Sequence, residues 1–210
     1  KRRPSRPGPP LLRSVSPIAT IPRSSTWCRP PAPTAGSTRR RCRSSSASGW
    51  LLTAVVEDSL RRLRTDYIDL FQLHWPDRAI YHFRDIWAFD PRGGDKAATE
   101  AQMLDVLRAA DALIKAGKIR HIGLSNDTVW GAGRWLALAD QHGLPRMATV
   151  QNEYSLLCRQ FDSDWAEFSV LEQMPLWAFS PLATGLLTGK YAGDVTPEEE
   201  ILARSLGALM

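Results

Sequence analysis

Four short apolar runs, YIDLFQLHW, IRHIGLSN, MATVQNEYS and PLWAFSPL, each finish in polar or conformationally special residues. One stretch of helical spacing lies between each consecutive pair. After a first, longer gap the runs recur about every 30 residues, the rhythm of βα units in a parallel sheet or barrel. Parallel strands need crossover connections, so this pattern confines the chain to α/β architectures. The first run is apolar on both faces, as a strand covered on both sides must be. In such barrels functional groups gather at the C-terminal strand ends. The endings QLHWPD, GLSND, VQNEYS and AFSPL are therefore expected on one face.

The intervening segments carry helix signals. VVEDSLRRLR (Val55–Arg64) places Val56, Leu60 and Leu63 on one helical face with arginines opposite. Thr99 and Gln102 have the spacing of a capping box. They are expected to open a helix bearing Leu104, Leu107, Leu113 and Ile114, which stops at Gly117. Asp127 or Thr128 can cap VWGAGRWLALADQH, which Gly143 and Pro145 end. SDWAEFSVLEQ reads as a further helix and GLLTGKY as the start of a loop-to-helix segment. A long polar, aromatic-bearing loop runs from Pro76 to Ala98. Trp75, Trp87 and Phe89 could line a pocket there or only pack the loop.

Composition divides the chain. Residues 1–48 hold 11 Lys/Arg, 9 of the 15 prolines and no Asp or Glu, leaving 16 basic against 22 acidic residues in 49–210. The first segment shows no sustained period and cannot bury enough apolar surface to offset chain entropy, so it is expected to be disordered. Four readings fit it. A nucleic-acid-binding arm is disfavoured, because Trp27 alone could stack on bases. A transit peptide has this composition, but the prolines break its helix. A plain disordered tail is the third. The favoured reading is a GC-rich gene translated in the wrong frame. Residues 49–210 read as one soluble domain with no apolar run of membrane-spanning length. Cys28, Cys42 and Cys158 follow no metal or disulfide spacing, which fits a reducing, cytoplasmic setting.

EDSLRRLRTDYIDLFQLHWPDR, IKAGKIRHIGLSN, VQNEYSLL and AFSPLATGLLTGKY together resemble an aldo-keto reductase, in that order and at that spacing. The likeness covers roughly Val55 to Tyr191 and is nearest the bacterial type with a long loop after the histidine strand. It implies a (β/α)8 TIM-type barrel, incomplete here, of which about four βα units are present as strands four to seven. It also implies NADP(H) extended across the C-terminal mouth and hydride transfer to an aldehyde or ketone, the small-molecule partner expected. On this resemblance His74 occupies the active-site histidine position, hydrogen-bonding the substrate carbonyl oxygen and stabilising the developing alkoxide. Ser125, Asn126 and Gln151 match the groups that hold the nicotinamide carboxamide. Phe179 stands where the family usually stacks a tyrosine on that ring. Ser180 and Leu182, with the turn around Gly185, match the segment near the pyrophosphate.

Bland roles compete with each of these. A strand-end histidine is often structural, and Ser125–Asn126 also suits a helix-initiating turn. His82, His121 and His142 fit a loop, a strand and a helix end without chemistry, and Lys115–Arg120 reads as a solvated helix terminus. The family's tetrad adds Asp, Tyr and Lys from its first three strands, and these have no counterpart here. The chain as written is therefore expected to be a truncated form without normal turnover. The residues that grip the 2′-phosphate usually follow an eighth strand, so NAD(H) stays open beside NADP(H). A non-catalytic nicotinamide-nucleotide-binding or interaction protein is the alternative.

Overall fold

The computed structural model describes residues 47–82 and 89–191. Residues 1–46 of the expected disordered basic tail and the pocket role for Trp87 fall outside these residues, while Ala47 and Ser48, assigned to that tail, begin α1. Helix α1 (Ala47–Leu63) leads into β1 (Ile68–Leu73), followed by α2 (Lys96–Lys115), β2 (Ile119–Ser125), α3 (Val129–His142), β3 (Met147–Glu153), α4 (Trp165–Leu171) and β4 (Leu176–Phe179). All three strand pairings are parallel and the spatial order is β1-β2-β3-β4. The expected α/β architecture holds: four parallel strands alternating with helices form an open parallel half-barrel. No helix among the described residues is long and apolar enough to cross a membrane.

Register fixes the two faces of the sheet. Phe71 pairs with Ile122, Leu73 with Leu124, and Leu124 with Val150, so these side chains share the helix-covered face. They pack in one core with Val56 and Leu60 of α1, Leu107 and Leu113 of α2, and Trp135 and Leu136 of α3. The opposite, inner face carries Leu70 and Gln72 beside His121 and Gly123, then Ser125 beside Gln151, then Trp177 and Phe179. Gly123 is a steric necessity here. A Cβ at this position would meet Thr149 Oγ1 at 2.6 Å. The buried Gln72 amide bonds across the same space, to Leu124 O and Thr149 Oγ1, both at 3.4 Å.

Two element boundaries differ from expectation. α1 begins at Ala47, upstream of Val55, because the preceding turn packs on α2: a Cβ on Gly49 would lie 3.0 Å from Asp105 O. The capping box at Thr99 and Gln102 does not form. Asp95 caps α2 instead, its carboxylate accepting from Ala98 N at 3.0 Å, while Thr99 Oγ1 donates back to Asp95 O at 2.8 Å. The Gln102 amide turns away to the Asp77 carboxylate. Lys118 and Arg120 keep the solvated character expected, 38% and 58% exposed, while pairing with Glu57 and Asp69. The other caps follow the reading: Thr128 Oγ1 accepts from Gly131 N at 3.2 Å, and Gly143 ends α3 at φ 61°.

Candidate active site

The strand ends converge as the pattern requires. His74 immediately follows β1, Ser125 closes β2, and Asn126 is the next residue. Gln151 lies on β3 as the register partner of Ser125, and Phe179 closes β4 opposite Glu153. Ser180 and Leu182 lie on the loop that leaves β4, with the Leu182 side chain exposed.

Backbone and side-chain hydrogen bonds lock the centre of this set. Ser125 Oγ donates to Gln151 O at 2.9 Å, and Asn126 N donates to the same carbonyl at 3.0 Å. Asn126 Nδ2 donates to His74 O at 2.9 Å and to Ser125 Oγ at 3.1 Å. A carbonyl can only accept, so the His74 carbonyl fixes which end of the Asn126 amide faces β1. The other end, Oδ1, is left buried with no partner among the described residues, on a side chain whose residue is only 2% exposed. Leaving such an acceptor unpaired costs about 1–3 kcal/mol, and a donor brought by a ligand recovers it. The His74 ring is half-buried and forms no hydrogen bond with the described residues.

Four of the six left-handed non-glycine residues described lie in this region, the other two, Arg64 and Gln173, standing near the ends of α1 and α4. Asn126 (φ 53°), Ser180 (φ 52°), Ala183 (φ 49°) and Thr184 (φ 56°) occupy the left-handed region without being glycine. Such residues persist only where surrounding contacts over-determine them, and they cluster at ligand-facing loops. In the loop after β4, Ala183 N turns in to Ser180 O at 2.8 Å and Gly185 N to Leu182 O at 2.9 Å. Lys190 lies over this loop: a Cβ on Gly185 would sit 3.0 Å from its Nζ. Sequence reasoning missed Lys190, although the spacing GLLTGK returns the lysine to the glycine turn and was the available signal.

Behind the strand ends lies a second polar layer. The Asp127 carbonyl accepts from Asn152 Nδ2 at 3.1 Å and is 3.0 Å from His82 Nε2, which must carry the proton to bond it. Burial pushes the His82 imidazole below its ordinary 6.5, opposed by the Asp127 carbonyl and by the Asp127 and Glu153 charges, and reinforced by Arg78. The unfolded chain therefore takes up a proton that the folded chain refuses. Stability is fully present above pH 6.5 and is lost as pH falls toward the lowered folded value. Urea midpoints measured through this window fall with acidification in the parent, and the His82→Gln variant loses that part of the slope.

Neither Tyr81 nor Tyr154 is shifted toward proton donation. Burial raises the Tyr81 phenol, and a hydrogen bond to Asp162 raises that of Tyr154. Both directions oppose proton donation near neutral pH.

Comparisons with known proteins agree with this geometry. The family model described as the aldo/keto reductase family matches residues 39–208, beginning inside the Arg/Pro-rich segment. Protein tas of Escherichia coli (strain K12) is 46% identical over 146 residues, covering 68% of this chain and 40% of that protein. An aldo-keto reductase of Babesia bovis is 41% identical over 151 residues, covering 68% of this chain and 52% of its own length. Among solved structures, a putative 2,5-diketo-D-gluconic acid reductase B superposes with a TM-score of 0.50 at 28% identity, over 67% of this chain and 40% of that one. The chain thus spans about half or less of the relatives it matches. With the residues that carry the four strand ends inside the matched span, the chain belongs to the aldo/keto reductase family.

Proposed function

We propose that this chain supplies the nicotinamide-facing half of an oxidoreductase that moves a hydride between NADP(H) and an aldehyde or ketone. The observation that carries the reading is the Asn126 amide. Its NH2 group is committed to His74 O, and its buried Oδ1 awaits a donor beside Ser125 Oγ. The carboxamide NH2 of a nicotinamide is such a donor, so the residues present fit the group. Phe179 offers an aromatic face on the inner side of the sheet, where a planar ring can stack. The Ser180–Gly185 turn and Lys190 supply a hydroxyl, backbone N–H groups and a positive charge for the anionic end.

Bound here, the nicotinamide supplies the hydride chemistry itself. The chain's own residues bind and orient. Asn126 and Ser125 fix which ring face is presented, and Phe179 bounds that face. His74 sits at the end of β1, and its ring, which bonds none of the described residues, can donate a hydrogen bond to a carbonyl oxygen and favour its polarisation. Nucleotide binding and turnover are separable in this reading, because orientation rests on β2 to β4 while proton supply needs a group beyond His74.

The direct test is a fluorescence titration with NADPH and with NADH. The parent is expected to bind, and Asn126→Ala to weaken binding about tenfold through loss of the paired amide. Equal binding by parent and variant would remove Asn126 from the site, and no binding by the parent would overturn the proposal. Binding without reduction of a small aldehyde panel would favour the nucleotide-binding role over turnover.

A further inference from the structure

The residues just behind Asn126 form a clamp that α3 capping does not require. Arg78 lies on the loop leaving His74, and its guanidinium pairs with the Asp127 carboxylate and reaches Thr128 Oγ1 at 3.1 Å. The same guanidinium stands 5.3 Å from the centroid of the Trp130 ring. Asp127 also accepts from Thr128 N at 2.7 Å and from the Trp135 indole N–H at 3.2 Å. The two side chains are 14% and 2% exposed, so the pair is largely withdrawn from water. Gly131 makes room for it: a Cβ there would overlap both the guanidinium and the carboxylate. Thr128 alone provides the N-cap of α3.

Asn126 sits between two fixed ends. On one side Ser125 and Asn126 are tied to the Gln151 carbonyl, and on the other Asp127 is held by Arg78, Trp135, His82 and Asn152. Asparagine tolerates the left-handed region better than other non-glycine residues, so these two ties decide whether Asn126 stays there or relaxes to negative φ. Relaxation would swing its amide away from the His74 carbonyl.

We propose that the Arg78–Asp127 pair is a positioning clamp that holds Asn126 in its left-handed conformation, and so sets the nicotinamide relative to His74. The clamp rests on the nucleotide-binding reading above, and links the loop after the histidine to the turn that meets the cofactor. Arg78 and Asp127 are positioning residues and touch neither substrate nor cofactor.

The test uses the 210-residue chain with Arg78→Lys and Asp127→Asn. Lysine keeps the charge but loses the planar fork, and asparagine keeps the shape but loses the charge. NADPH binding is compared with binding of 2′-phospho-ADP-ribose, which lacks the nicotinamide, and amide hydrogen exchange is followed at Asn126 and at Phe71. Expected is about a tenfold loss of NADPH affinity in both variants with 2′-phospho-ADP-ribose binding unchanged. Exchange at the Asn126 N–H is expected to quicken by a larger factor than that at Phe71, whose core-strand amide reports the general loss of stability. Parent-like NADPH affinity and parent-like Asn126 exchange would overturn the clamp. So would parallel loss of both ligands with exchange quickened equally at Asn126 and Phe71, the pattern of a general structural role. If the parent binds neither ligand, the nucleotide reading fails by itself. Exchange at Asn126 then decides the clamp: quickened more than at Phe71 in both variants supports it, unchanged or quickened equally overturns it.

Discussion

Replacing Phe71 by alanine is expected to cost about 3–5 kcal/mol, the upper range for core truncations. Phe71 is only 1% exposed and sits at the middle of β1 on the helix-covered face, paired with Ile122. Helices α1 and α2 close over that face, so the vacated ring volume is walled by elements that cannot all move inward together. A loss of this size is a large share of the 5–15 kcal/mol by which domains are ordinarily stable. Urea unfolding followed by circular dichroism checks it. The midpoint should fall steeply with the slope unchanged, as for a change in stability without a change in cooperativity. A shift of only a few tenths of a molar would mean that β1 is not the packed strand described.

The second large effect concerns Asp127. Removing its carboxylate in Asp127→Ala strands the Arg78 guanidinium in a site where it is only 14% exposed. Breaking a buried pair from one side costs about 3–5 kcal/mol, because the remaining charge keeps its desolvation penalty without its partner. The guanidinium retains some water, which places the expected loss at the lower end. The Trp135 and Thr128 N–H groups lose their acceptor as well. Arg78→Ala is expected to be milder, since the carboxylate left behind still accepts from both. The double variant should then cost less than the sum of the two, and equilibrium unfolding of all three chains gives the coupling directly. A double variant whose loss equals that sum would mean the two charges do not interact.

What the sequence disclosed and what it withheld divide along a physical line. The four strands were legible because each is a short apolar run bounded by turn residues, and their parallel order followed from the single helix between each pair. Thr128 and Gly143 were legible because capping chemistry is local: the residue type and the neighbouring helix period suffice. The start of α2 was not, because two acceptors competed for it. Asp95 precedes Thr99, and its carboxylate reaches Ala98 N, so the helix opens earlier than the capping-box pattern suggests.

The site shows the same division. His74, Ser125, Asn126, Gln151 and Phe179 follow as candidates from strand endings and a family likeness, and the parallel register brings those strand endings to one rim. Arg78 and Asp127 were invisible as a pair because 49 positions separate them and neither belongs to a periodic pattern. Only the folding of one loop over the next joins them. Lys190 was missed for a related reason: its meaning depends on Gly185 at φ 103°, which turns the chain back beneath the ammonium.

The strand order β1-β2-β3-β4 repeats the order of synthesis. Each strand therefore finds its partner already made, one βα unit back along the chain, and no strand must wait for a later one to separate a mispaired neighbour. A chain leaving the ribosome can add units one at a time, and the closure entropy at each step is that of a single crossover rather than of the whole sheet. The polar endings then accumulate along one rim in the order in which they are translated, with His74 placed first and the Ser180–Gly185 turn last.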